Sequence, residues 1–457
     1  MQVPTGIFRQ YDIRGVVDAE LTPVVAHAVG RALATHTRSA IGRAARLAVG
    51  RDNRPSGERL ASAVRDGIAL GGGTAVDVGL LPTPALYLAV HELAVDGGLQ
   101  VTGSHNPPEF NGFKMLAAGE TLHGEAIQGL RRLIETDALD SGAGRLETDA
   151  SVLRRYADAI VSRNGPLARP VKVVVDCGNG VASIVAVPTL SRLGADVIGL
   201  YCESDGTFPN HHPDPTVPAN LRDLQAAVRR TGAELGIAFD GDGDRIGAVD
   251  EQGTIVFGDQ LLILFGRDLV HRMGPGRPVI FDVKCSDVLR DQLAAAGLTP
   301  VIWKTGHSLI KAKMKETGAP LAGEMSGHIF FGGDYYGFDD ALFAAARLLA
   351  FVAREGGPLS RHFADVPRTF STPEIRIDCP DDRKFTVVEQ AAAHFGTRYE
   401  TLTLDGVRVS FAHGWGLLRA SNTQPVLVMR FEATSEAELA RYRGEVEAWL
   451  RGQGIAT

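Results

Sequence analysis

Val171-Lys-Val-Val-Val-Asp176 is a run of β-branched residues that ends on a carboxylate and passes through the small-residue loop Cys177-Gly-Asn-Gly180 into a helix-compatible segment. A continuous apolar strand followed by a short loop and a helix is the pattern of a parallel strand buried on both faces in a βαβ unit. The pattern recurs at Leu47-Ala-Val-Gly-Arg-Asp52 and Pro278-Val-Ile-Phe-Asp282, and the three aspartates lie 124 and 106 positions apart. Each interval is about one domain length, so three related α/β domains are expected.

Polar or glycine-rich stretches at 140–144, after 250–253 and over 356–367 interrupt the periodicity. They divide the chain into 1–146, 147–253, 254–366 and 367–457. Past Pro367 the pattern becomes α+β: a strand over 374–377, a helix over 385–395, strands over 406–411 and 426–432, and a closing helix over 436–451. The segments 413–416 and 419–423 read as adjacent loops between its strands.

With 457 residues, 44% hydrophobic and 22% charged, the composition is that of an ordinary multidomain globular protein. Lys+Arg 47 against Asp+Glu 54 gives a net charge of −7 without long single-sign runs. That disfavours a general nucleic-acid or membrane surface, so an anionic ligand must meet a local basic pocket. No apolar run approaches the ~18 residues of a membrane span, and the start, MQVPTGIFRQYDIRG, lacks an apolar leader, so a cytoplasmic location is expected. The cysteines Cys177, Cys202, Cys285 and Cys379 form no CxxC pair, and neither a disulfide framework nor a zinc site is expected. Glycine is in surplus, 53 of 457 against a usual ~7%, and gathers in short polar loops.

The sharpest chemical signal is Asp240-Gly-Asp242-Gly-Asp244-Arg245, entered and left by apolar runs. Three carboxylates at alternate positions converge on one cation if the glycines let the loop curl, and hard oxygen ligands suit Mg²⁺ or Ca²⁺. An EF-hand loop would place Glu251 twelfth, but its sixth position is Arg245 instead of glycine and the flanks read as strands. The second signal, Thr102-Gly-Ser-His-Asn-Pro107, offers Ser104 on a glycine-containing turn with His105 and Lys114 nearby. It is not a GxSxG elbow, and a loop serine alone is usually a turn residue.

These two motifs, with Gly323-Glu-Met-Ser-Gly-His328 and Arg419-Ala-Ser-Asn-Thr423, stand in the order seen in the α-D-phosphohexomutases. Tyr11-Asp-Ile-Arg-Gly15 and Gly306-His-Ser-Leu-Ile-Lys311 resemble the bacterial phosphomannomutase/phosphoglucomutase branch, as does Met325, where phosphoglucosamine mutases typically carry Gln. The resemblance implies an α/β fold of four domains around a central cleft, three related α/β domains with mixed sheets and a smaller α+β C-terminal domain. It implies a phosphoserine at Ser104, one Mg²⁺ per chain held by Asp240, Asp242, Asp244 and the Ser104 phosphate, and a hexose 1,6-bisphosphate that turns around as intermediate and activator.

On this resemblance Arg245 and Arg14 contact the transferring phosphoryl group, and Lys114 and His328 are the acid–base candidates, Lys114 on condition that Arg14 and Arg245 lower its pKa. Arg419, Ser421, Asn422, Thr423 and Arg430 would hold the second phosphate. Glu324 and Ser326 would orient the sugar hydroxyls, and Tyr11, His105, Asn106, Lys284, Gly306 and His307 would line the cleft. The expected partners are small sugar phosphates, with no nucleic acid and no membrane. A monomer is expected, with a dimer as the alternative.

Overall fold

The computed structural model of the chain describes residues 1–421 and 425–457. Each repeated run becomes an inner strand with parallel neighbours on both sides, which is why it can be apolar on both faces. In the first domain β1 (Ile13–Val16), β2 (Arg46–Arg51), β3 (Thr74–Leu80), β4 (Gly97–Val101), β5 (Phe110–Ala117), β6 (Glu120–Thr121) and β7 (Arg145–Thr148) form one sheet. Its order is β1-β5-β4-β2-β3-β7, with β6 on β5. The second holds β8 (Lys172–Asp176), β9 (Asp196–Leu200), β10 (Leu235–Phe239), β11 (Ile246–Asp250) and β12 (Ile255–Val256), ordered β12-β11-β10-β8-β9. The third holds β13 (Pro278–Asp282), β14 (Thr299–Trp303), β15 (Leu321–Gly323) and β16 (Ile329–Phe331), ordered β14-β13-β15-β16. Val173, Val174 and Val175 are wholly buried, each contributing about 1.5–3 kcal/mol.

The repeat extends beyond those strands. In every one of the three sheets the inner strand pairs in parallel with a neighbour (β4, β10, β15), which turns into an antiparallel partner (β5, β11, β16). The three loops made by these turns carry the three motifs of domains I to III, so Ser104, the aspartate loop and Glu324 occupy one topological position three times over. The sheet edges do not coincide with the expected divisions: β7 spans 146/147, and β12, past 253, still pairs with β11.

The fourth domain is an antiparallel sheet of β17 (Phe370–Ser371), β18 (Ile375–Asp378), β19 (Glu400–Leu402), β20 (Val407–Phe411), β21 (Gly414–Ala420) and β22 (Val426–Ala433). Helices Lys384–Gly396 and Glu436–Gly452 pack on it. Here one expectation is corrected. Residues 414–416 and 419–420, read as parts of two loops, belong to one strand over 414–420 that pairs along its length with β22 and over 414–418 with β20. Trp415, Leu417 and Leu418 are buried in it, which outweighs the glycines that made the segment look like a turn.

One apolar cluster runs through domains I, II and III and includes Tyr87, Val173 and Phe281. Domain IV has its own, around Phe395, Phe431 and Tyr442. It meets domain III through the small cluster Val283, Trp415 and Leu417. Among the described residues no helix is long and apolar enough to cross a membrane.

Candidate active site

Ser104 lies in the β4–β5 loop, buried, with φ of 48°, a left-handed conformation uncommon outside glycine. The strand-end Asp52 and its neighbour Arg54 hold it there. Asp52 Oδ2 accepts from Thr102 Oγ1 (2.7 Å), the Gly103 amide (3.2 Å) and Arg54 Nε (3.2 Å). The guanidinium of Arg54 then donates to four loop carbonyls, those of Ser104, Asn106, Pro107 and Phe110, at 2.5–2.9 Å. Five bonds from one buried cation make the loop a rigid mount. Gly103 is obligatory, since a Cβ there would come within 2.5 Å of the Arg54 guanidinium carbon.

The aspartate loop of domain II presses on this mount. A Cβ at Gly241 would stand 2.3 Å from the Ser104 carbonyl oxygen, so only glycine allows the two loops to meet. Ser104 Oγ donates to Asp240 Oδ2 at 2.9 Å. Asp240, Asp242 and Asp244 have no exposed surface, and each offers a carboxylate oxygen within 4.8 Å of the others. Burial, then Asp242 and Asp244, push the Asp240 carboxyl well above the usual range. The amides of Asp244 and Arg245 (both 3.1 Å) donate to Asp240 Oδ1, and Thr83 Oγ1 to Asp242 Oδ2. Among the described residues Asp242 Oδ1 and Asp244 Oδ1 have no hydrogen-bond partner. Two orphaned anionic oxygens in a buried, mutually repelling trio are what a hard cation would satisfy, so the donor set fits Mg²⁺.

Lys114 Nζ lies 2.7 Å from Asp242 Oδ2 and also bonds Asp244. Burial works against its charge, but the carboxylates of Asp242, Asp244 and Asp240 outweigh burial and hold the ammonium above its ordinary range. The expected depression by Arg14 and Arg245 is therefore corrected: the nearest charges are anions from another domain. His105, whose Nδ1 is 3.1 Å from Ser104 Oγ, is shifted the other way, well below the usual imidazole value, by burial and by Arg245, Arg14 and Lys114. The serine hydroxyl thus has cations acting on the imidazole to one side and the carboxylate trio on the other. Arg14 reaches it from β1, held by Asp12 and donating to Asn106 Oδ1 at 2.6 Å.

Arg245 Nε donates to His328 Nε2 at 2.9 Å. On its other side His328 Nδ1 is 2.9 Å from Asp339 Oδ2 and 3.6 Å from Asp244 Oδ1. Asp339 also receives Lys311 Nζ at 3.1 Å. His307 opens the helix His307–Thr317 and stacks on His328, and burial holds its imidazole well below the usual value. The Gly306 amide donates to Glu324 Oε1 (2.8 Å), and Ser326 Oγ to Glu324 Oε2 (3.0 Å). Tyr11 reaches across from domain I to donate to the Thr305 carbonyl at 2.8 Å. Asp282, the strand-end carboxylate of domain III, bonds Thr305 Oγ1 and the Met325 amide, as Asp52 does for its own loop.

Toward domain IV, Lys284 Nζ is 3.4 Å from Glu374, and Arg419, a β21 residue, pairs with Asp405 at 3.2 Å. Asp405 also accepts from the Thr305 amide, which closes a line of contacts from Ser104 to Arg419. Arg430 shares the Arg419 face of the sheet but is engaged with the Lys284 carbonyl and Asp259. Ser421 ends the described part of this segment, while Asn422 and Thr423 lie outside the described residues. A cavity of about 590 Å³ opens where domains I, III and IV meet, beside Tyr11, Asp405 and Ala420.

Sequence reasoning missed Arg54, Thr83, Lys311 and Asp339 as supports of the site. Asp52 carried a signal in the repeated strand-end pattern, and Lys311 stood within a quoted motif. Arg54 and Thr83 gave none, because their partners are backbone carbonyls and a residue of another domain, and Asp339 gave none because the fold of its own domain brings it to His328 and Lys311.

Models of the phosphoglucomutase/phosphomannomutase family match the chain in four consecutive parts: alpha/beta/alpha domain I over 5–140, domain II over 154–253, domain III over 257–370 and the C-terminal domain over 374–448. The chain is 51% identical over 443 residues to a phosphomannomutase/phosphoglucomutase of Pseudomonas aeruginosa, covering 96% of this chain and 94% of the relative. It is 45% identical to a phosphoglucomutase of Neisseria gonorrhoeae, with 97% and 96% covered. A crystal structure of a phosphoglucomutase/phosphomannomutase family protein from Burkholderia thailandensis superposes with a TM-score of 0.92 at 43% identity, over 99% of this chain and 98% of that one.

Proposed function

This chain belongs to the phosphoglucomutase/phosphomannomutase family, and from that membership we propose that it is an intramolecular phosphotransferase interconverting hexose 1-phosphate and hexose 6-phosphate, of mannose, glucose or both. Its phosphoryl carrier is Ser104, and its intermediate is a hexose 1,6-bisphosphate. The observation that carries this reading is the contact of Ser104 Oγ with Asp240, 2.9 Å apart, at a spot ringed by Lys114, Arg14 and Arg245. A fixed phosphoserine needs a counter-charge for its phosphate and a neutral partner near its oxygen, and the depressed His105 imidazole suits the second need.

Asp240, Asp242, Asp244 and an oxygen of the Ser104 phosphate hold one Mg²⁺ per chain, which when bound neutralises charge and polarises the phosphoryl group. The protein's own residues do the rest. Arg14 and Arg245 hold the equatorial oxygens during in-line attack by a sugar hydroxyl, while His328 takes the hydroxyl's proton and Lys114, held charged by its carboxylates, donates to the departing Ser104 oxygen. Arg245 is aimed by His328, and His328 by Asp339. Glu324, Ser326, Tyr11, Lys284, Gly306 and His307 orient the sugar, and Arg419 with Ser421, Asn422 and Thr423 holds the far phosphate. The bisphosphate then turns and returns its other phosphate to Ser104. The enzyme acts in the cytoplasm on free sugar phosphates, as a monomer or a dimer.

The test is a coupled assay of mannose 1-phosphate and glucose 1-phosphate with Mg²⁺. The 6-phosphates form with the intact chain, and Ser104→Ala lowers turnover by at least about 10⁴-fold. Release of inorganic phosphate without isomerisation would contradict the reading.

A further inference from the structure

Domain II carries two cysteines that this chemistry does not use. Cys177 follows β8 and Cys202 lies just past β9, the parallel neighbour of β8. Between β9 and Cys202, Tyr201 takes φ of 51° and folds the chain back. The two sulfurs, 25 residues apart in sequence, come within 3.3 Å of each other as free thiols. Gly199 leaves room for this, since a Cβ there would meet Cys202 Sγ at 3.2 Å. Cys177 is buried and Cys202 half-buried, so Cys202 is the more accessible residue of the two. The contact with Cys177 draws the Cys202 thiol below its ordinary range, while the same contact and burial push Cys177 well above.

We propose that Cys177 and Cys202 form a redox site that a hydroperoxide closes to an intrachain disulfide, and that closure slows the enzyme. The Cys202 thiol gives up its proton and its sulfur attacks an oxygen of hydrogen peroxide; the O–O bond breaks, Cys202 sulfenic acid forms, and the leaving hydroxide takes up the thiol's proton as water. The Cys177 sulfur then attacks the Cys202 sulfur, the S–O bond breaks, and the leaving hydroxide takes the Cys177 proton as a second water. Two thiols lose two electrons, which the peroxide receives. The sulfurs must close from 3.3 Å to ~2.05 Å, and both attached loops feel it. The loop after Cys177 supports the aspartate loop, Val181 N donating to the Gly241 carbonyl at 3.1 Å. The loop after Cys202 rests on domain I, where Asn53 bonds Ser204 and the Phe208 ring lies 5.1 Å from the Arg54 guanidinium carbon.

The experiment treats the reduced full-length chain with hydrogen peroxide, alkylates the remaining thiols and maps the peptides. Two of the four thiols disappear, a peptide linking Cys177 to Cys202 appears, and turnover falls at least about threefold because a sub-ångström shift at the phosphoryl site suffices. Dithiothreitol restores both. In Cys202→Ser, which keeps a small polar side chain at the half-buried position, peroxide removes no thiol and no activity. Four persistent thiols, Cys202 sulfinic acid without a link, or a link to Cys285 or Cys379 overturns the proposal, and a Cys177–Cys202 disulfide with unchanged turnover overturns its coupling to the site. The coupling rests on the mutase reading, whereas the thiol count is read without any activity, so failure of one is distinguishable from failure of the other.

Discussion

The two ends of the cleft are joined by different physics. At the Ser104 end, domains I and II share one apolar core and touch backbone to backbone, glycine 241 against the Ser104 carbonyl. At the Arg419 end, domains III and IV meet through ion pairs, Lys284 with Glu374, Arg408 with Asp287 at 3.0 Å, and Arg430 with Asp259, around a small apolar cluster of Val283, Trp415 and Leu417. Apolar burial is non-directional and indifferent to salt, whereas charge pairs are screened and titrate. On the proposed function, the phosphoryl chemistry would stand on the junction with the shared core, and recognition of the far phosphate on the one suited to release and reseat while a sugar turns.

The largest test of this contrast is Asp242→Asn at the rigid end. It removes a charge from the buried trio and leaves Lys114 with one fewer anion, so Mg²⁺ affinity by calorimetry and turnover both fall by at least about a hundredfold, while the fold measured by circular dichroism is kept. Unchanged Mg²⁺ binding would break the assignment of that end.

A smaller effect is expected at the ionic end. Burial opposes the Glu374 charge, but Lys284, Arg376 and Arg419 hold its carboxyl down at about 2, from 4.5. Because the folded pKa is the lower one, this stabilisation is fully present above about pH 4.5 and is lost as pH falls toward 2. In thermal melts the native chain exceeds Glu374→Gln by ~1 kcal/mol at neutral pH, and the gap closes across that acid window. A gap constant across the window would mean that packing, and not charge, joins these domains.

What was legible in the sequence follows the same division. The inner strands β2, β8 and β13 announced themselves because a strand covered on both faces must be apolar throughout, and the three motifs stood out because their chemistry is local. The strand of residues 414–420 did not, since its glycines read as turn and its burial comes from β20 and β22 on either side. Lys114 was placed among cations because Arg14 and Arg245 belong to quoted motifs, whereas its actual partners face it only when domains I and II dock. Arg54 reads as an ordinary loop arginine, and only the fold gathers four carbonyls around it. The Cys177–Cys202 proximity was hidden for the same reason, a parallel crossover bringing distant residues side by side.

We propose that the rigid junction serves to hold a phosphoryl group on Ser104. The most direct measurement incubates the dephosphorylated chain with glucose 1,6-bisphosphate and Mg²⁺, maps the acquired phosphate by peptide mass spectrometry, and chases it with glucose 1-phosphate. A single phosphate is expected on Ser104, leaving stoichiometrically as hexose bisphosphate. A phosphate on His105 or elsewhere, or a Ser104 phosphate that the sugar does not remove, would contradict it.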